Sequence, residues 1–227
     1  YIGIEVGADV AASLNLDEYM VFDNDSENAK NYFSQLIYKH ISTILKSEGI
    51  EAPESSQSFI KETFTQINAF DEFVRAAEGV PRDAINILAI AAQKANSRLI
   101  SVPDIRSAAK NWYNRNKEQV VTSEPLALEL LRWIIDEVIA HRRARAFLLK
   151  SDIKDELIDF LFDSRVLHIV KQGVSAHDQP GIRYNVYSID YGCYVDLINT
   201  SKAPLGLYEV KTDNGSEYID VPSNDYR

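Results

Sequence analysis

The sequence predicts a mainly helical protein with a small β component. Three observations carry that expectation. Apolar residues recur at helical spacing from about residue 26 to 118. From Pro125 the order changes to helix, short strand, helix and a two-stranded ribbon. Of the 227 residues 45% are hydrophobic, enough for a sizeable core, yet no apolar run reaches the roughly 18 residues of a membrane span.

Residues 1–6 alternate like a strand, and residues 19–22 form a second short apolar run, as at the edge of an α/β unit. Ser26 is the expected N-cap of a long helix burying Phe33, Leu36, Ile37, Ile41 and Ile44, and Gly49 ends it. After a serine-rich loop come a helix near residues 59–67 and another from Asn68, burying Phe70, Phe73, Val74 and Ala77. Gly79 closes that pattern. Pro81 suits the first position of the next helix, whose apolar residues are Ile85, Leu88, Ala89 and Ala92. Ser101 caps a further helix with Pro103 in its first turn.

Residues 117–124 read as a linker. Pro125 opens an amphipathic helix with Leu128, Leu131, Ile134, Ile135 and Val138. A short strand follows at 144–149, then a helix expected to be capped by Ser151. Residues 166–171 and 183–189 are the ribbon, with its tip at 173–181. The segment from Tyr208 either pairs about Asp213-Asn214-Gly215 or stays loose.

The stretch Glu78-Gly79-Val80-Pro81-Arg82-Asp83 is the most informative for chemistry. The first N–H groups of a helix have no internal acceptor, and the dipole there favours an anion. A cation at that end is disfavoured, so Arg82 calls for either a neighbouring carboxylate, Glu78 or Asp83, or a phosphate. The chain has no Gly-x-x-x-x-Gly-Lys-[Ser/Thr] loop to hold a nucleotide by itself.

A second candidate is the basic group Arg142, Arg143, Arg145, Lys150 and Lys154, extended by Lys171, His177 and Arg183 of the ribbon. Such cations suit phosphate contacts. The intervening helix, however, carries Asp152, Asp155, Glu156, Asp159 and Asp163, which repel a phosphate backbone. DNA and a protein partner both remain open. The net charge of -10 argues against sequence-blind polyanion binding. The run Asp190-Tyr191-Gly192-Cys193-Tyr194 has no histidine close in sequence to activate its thiol, so Cys193 reads as core. The four histidines show no metal-site spacing, and a single cysteine suits a reducing cytoplasm.

The helical stretch with Gly79-Val80-Pro81-Arg82, followed by helix, strand, helix and ribbon, resembles the C-terminal half of AAA+ ATPases. It looks most like their origin-recognition or initiator branch and its bacterial relatives. The resemblance covers about residues 26–190 and implies a helical lid followed by an abbreviated winged helix. It implies that Pro81 and Arg82 belong to a sensor-2 turn that reaches the γ-phosphate of ATP bound with Mg2+. The phosphate loop, the acidic metal-binding strand and sensor 1 are not in this sequence, so the chain alone is expected not to hydrolyse ATP. The expected parts are 1–25, a remnant of an α/β ATPase core; 26–118, the lid; 123–200, the winged helix; and 201–227, a tail. With a strand pattern at Tyr1 and a polar run at Arg227, the chain is expected to be a piece of a longer protein. Expected partners are its own ATPase core, neighbouring subunits and DNA, and no membrane. The rival expectation is a non-enzymatic adaptor or regulator binding protein or DNA.

Overall fold

The computed structural model describes residues 20–175, 181–212 and 215–219. The strand pattern expected at residues 1–6, His177 and the Asp213-Asn214 turn lie outside them. What is described is mainly helical with a small antiparallel sheet. Residues 22–24 form a turn, and Val21 is fully buried beneath it.

Five helices build the first half. Helix α1 spans Ser26–Ser47, and its cap is Asp25 rather than Ser26, accepting from the Asn28 N–H at 3.0 Å. Such a cap stabilises a helix by about 1 kcal/mol. Helix α2, Ser56–Thr63, is capped by Ser55, and α3, Ile67–Ala76, begins one residue earlier than expected. Helix α4 is Pro81–Ala95, with Pro81 in its first turn. Helix α5, Val102–Asn116, has the expected Ser101 cap, reinforced by Asp104 in a capping box. The phenylalanines Phe33, Phe64, Phe70 and Phe73 meet at the centre of these helices.

The segment expected to be a linker is not extended. Residues Glu118–Thr122 form a short helix, α6, and Lys117 ahead of it is buried. Helix α7, Pro125–Ile134, runs on into a π-helical turn, Ile135–His141. The wider turn lets the consecutive residues Val138 and Ile139 both face the core. It closes with the Arg142 N–H on the Glu137 carbonyl and with Arg143 in the left-handed region at φ 56°.

Strand β1 is Ala146–Lys150, β2 is Leu167–Ser175 and β3 is Arg183–Ile189. They pair antiparallel in the order β1-β3-β2, with Ala146 opposite Ser188 and Leu167 opposite Ile189. Helix α8, Glu156–Asp163, lies between β1 and β2 in sequence, and its cap is Asp155 rather than Ser151. Lys154 therefore sits in the loop ahead of the helix. A short helix α9, Tyr191–Tyr194, follows β3. After Tyr208 the described residues form two paired antiparallel strands, β4, Tyr208–Thr212, and β5, Gly215–Ile219. Leu207 and Tyr208, where β4 begins, are buried.

One continuous apolar core runs from Val21 to Tyr208 through both halves. A close approach occurs at Gly192, where a Cβ would lie 2.5 Å from the Cβ of Tyr113 on α5. Only glycine lets α9 close on the helices there. Among the described residues no helix is long and apolar enough to cross a membrane.

Candidate functional site

The turn that leads into α4 is shaped by two successive left-handed residues, Glu78 at φ 48° and Gly79 at φ 77°. Glycine is favoured at such a φ, and a Cβ on Gly79 would also come within 3.2 Å of Val21 Cγ2. Val80 then occupies the N-cap, where its side chain has nothing to offer a backbone N–H. The start of α4 therefore lacks a side-chain cap. Pro81 sets the entry angle, and Arg82 points outward and is exposed.

Neither neighbouring carboxylate takes up Arg82. Asp83 turns inward, 2% exposed, and its Oδ2 lies 2.8 Å from Lys117 Nζ. Glu78 is itself buried, and burial, with Asp23 and Asp190 nearby, pushes its carboxyl well above the usual carboxylate range. The Arg82 guanidinium makes no ion pair with a described residue, and its carbonyl accepts from Asn86 Nδ2 at 2.7 Å. Its two neighbours are committed elsewhere, and it is left facing solvent at the end of a helix that attracts anions.

Lys117 joins this turn to the sheet. Its ammonium also binds Asp190 Oδ2 at the end of β3, and His168 Nε2 of β2 lies 3.3 Å from the same oxygen. Asp190 Oδ1 accepts from the Gly192 N–H at 3.1 Å, starting α9. Burial alone would raise the pKa of Asp190, but Lys117 and His168 outweigh it and hold the carboxyl below its ordinary value. Burial likewise works to lower that of Lys117, and the charges of Asp190 and Asp83 more than reverse it. A buried ion set of this kind is costly to break from one side, because each remaining charge loses its compensation.

A second polar group crosses the same interface. Glu72 of α3 accepts from Arg106 Nε at 2.6 Å and from the hydroxyl of Tyr191. Asp23 Oδ1 lies 2.9 Å from Arg145 Nη2 and 3.8 Å from Arg75 Nε, and Arg75 stacks over the Phe22 ring. Arg145 is only 9% exposed. This corrects the expectation that it faces DNA: a carboxylate more than a hundred residues away has claimed it.

The other cations divide. Arg143 donates from Nε to the Ala203 carbonyl at 2.9 Å, and Arg183 donates from Nη1 to the Gly173 carbonyl and Ser175 Oγ, bracing its own ribbon. Lys171 lies half-buried on β2. Arg142, Lys150 and Lys154 are exposed. Burial pushes the thiol of the partly buried Cys193 well above its ordinary pKa, away from the thiolate that a nucleophile needs. Among the described residues no group of three or more His, Cys, Asp or Glu could hold a metal ion.

Sequence reasoning picked out Arg82 and Pro81, named Asp83 only as a partner for Arg82 and Asp190 only in the run around Cys193, and missed the buried pairing of both carboxylates with Lys117 that fixes the turn from behind. No protein-family model, curated protein or solved structure matches this chain.

Proposed function

We propose that this chain is the lid and winged-helix portion of an AAA+ ATPase of the initiator-like branch. In this reading Arg82 is the sensor-2 arginine. It reads the γ-phosphate of ATP held with Mg2+ by a core outside these 227 residues. The observation that carries the reading is an outward Arg82 that pairs with no carboxylate among the described residues, on a helix start without a side-chain cap, with Glu78 buried and Asp83 tied to Lys117. Arg82 and the first N–H groups of α4 fit an anion, and a guanidinium can clamp two phosphate oxygens at once. ATP would supply the free energy of hydrolysis. This chain's part is to sense the terminal phosphate and pass its presence on.

The route for that signal is the Asp83–Lys117–Asp190 set. A displacement of the α4 turn is carried through buried ion pairs and Gly192 packing to β2, β3 and α9. The helix, strand, helix and ribbon segment would then change its contact with a neighbouring subunit or with DNA. In the complete protein, Arg82→Ala should leave the fold intact and weaken ATP hydrolysis. Unchanged hydrolysis together with unchanged nucleotide-dependent assembly would remove the sensor role.

A non-enzymatic adaptor is the second reading. It is favoured by the inward commitment of Arg145 and by the acidic exposed side of α8, which leave Arg142, Lys150, Lys154 and the ribbon-bracing Arg183 as the exposed candidates for DNA. Duplex binding with a salt dependence that falls when Arg142, Lys150 and Lys154 are changed to Glu would instead support a DNA contact.

A further inference from the structure

Helix α7 is apolar on two sides. Ala127, Leu131, Ile134 and Val138 face the core. Leu126, Leu130 and Trp133, at i, i+4 and i+7, form a second stripe on the outer side, with Leu126 and Trp133 each 61% exposed. An apolar stripe of this size on a helix is ordinarily buried, and among the described residues none covers the outer one.

The stripe borders a groove of about 520 Å3 between α7, β1 and the start of α8. Its floor and walls include Leu130, Trp133, Phe147, Leu148 and Ile158. Leu148 is 43% exposed although it sits mid-strand. Glu137 and Asp155 line the groove against a single lining cation, Arg142. On the flanking elements the exposed Glu129, Asp136, Asp152, Glu156, Asp159 and Asp163 outnumber the exposed Arg132, Lys150 and Lys154, so the surroundings are net negative. The site is apolar within and acidic at the rim, next to a helix whose knobs repeat at i, i+4 and i+7. Helices dock on such ridges by interdigitation.

We infer that this groove binds an amphipathic α-helix of a partner protein, one that carries an apolar stripe flanked by lysine or arginine. Trp133 is the anchor: a large, exposed aromatic beside a pocket is the kind of residue that dominates an interface when it becomes buried. The acidic rim selects the basic flanks and rejects both nucleic acid and an acidic helix. This inference stands whether or not Arg82 senses a phosphate, because none of its residues belongs to that turn.

The test uses the whole chain and two synthetic 20-residue helical peptides. Both carry leucine at i, i+4, i+7 and i+11. One has lysine on its flanks and the other glutamate. Binding is followed by tryptophan emission and by calorimetry. The lysine peptide should bind with a dissociation constant of roughly tens of micromolar and shift the emission to the blue, and a Trp133→Phe variant should lose that shift. The glutamate peptide should bind at least about tenfold more weakly. Trp133→Ala and, independently, Leu148→Asp should each weaken the lysine peptide by about tenfold or more, with unchanged circular dichroism.

Equal binding of the two peptides, binding of neither, or indifference to both substitutions would overturn the inference. So would a concentration-dependent dimer of the chain that buries Trp133, or a blue shift produced by duplex DNA. The first would assign the groove to a second copy, the other to nucleic acid.

Discussion

Replacing Lys117 with methionine keeps most of the side-chain volume and removes the ammonium. Two carboxylates then remain in the interior, Asp83 at 2% and Asp190 at 4% exposure, without the charge that compensated them. Breaking a buried pair from one side costs about 3–5 kcal/mol. For a chain of this size each kcal/mol moves the melting temperature by about 2–4 °C, so Lys117→Met should lower it by roughly 6–20 °C at pH 7. Urea denaturation and thermal melts followed by circular dichroism measure the effect. Adding Asp83→Asn and Asp190→Asn should restore more than half of the loss, since neutral groups need no ammonium. The pH dependence provides an independent sign. In the native protein the lowered pKa of Asp190 contributes stability that is present above about pH 4, the unfolded value, and lost as pH falls through the folded one. In Lys117→Met the two carboxylates are buried and repel each other. Asp190 then keeps its burial and loses the ammonium that lowered its pKa, so that pKa rises and the variant should instead regain stability as the pH falls toward 4. A variant within about 1 kcal/mol of the native protein at pH 7, with no convergence in acid, would refute the buried ion set as a structural coupling.

Glu78→Gln tests the turn from its other side. The folded pKa of Glu78 is raised, so its contribution is complete below about pH 4.3 and is lost as pH rises through the folded value. The Gln variant should therefore gain on the native protein between pH 4 and pH 8, and a difference in melting temperature that does not change with pH would contradict this. Gly192→Ala places a methyl group 2.5 Å from Tyr113 Cβ and should destabilise by about 1–3 kcal/mol, measured by urea denaturation; a neutral effect would show that α9 is not packed as tightly as described.

The parts of the fold that depend on neighbours in sequence were legible. Pro81 opens its helix, Ser101 caps α5, and two paired strands form where the ribbon was expected, because each is decided within a few residues, although β2 runs on to Ser175 and the pairing shifts register twice. Capping was harder around residues 151–155, where several polar side chains compete. Asp155 wins because it stands directly before the stripe of Leu157, Ile158, Leu161 and Phe162. The site was half legible. Gly79, Pro81 and Arg82 declare a turn and an unsatisfied cation, but the inward residues pair over long separations. Lys117 and Asp190 are 73 residues apart in sequence, and Arg145 meets Asp23 across more than a hundred residues of chain. A lysine in a polar stretch and an arginine in a basic run look solvated until the fold brings a carboxylate to each. A glycine between Tyr191 and Cys193 was the available hint that this run closes against a helix.

The central claim is that Arg82 reads a terminal phosphate. Its most direct test is the ratio of ATP to ADP affinity in the complete protein, native against Arg82→Ala, measured by calorimetry with Mg2+ present. The account predicts that the native protein prefers ATP and that the variant loses about tenfold or more of that preference while its ADP affinity stays the same. An unchanged ratio, with folding intact, would contradict it.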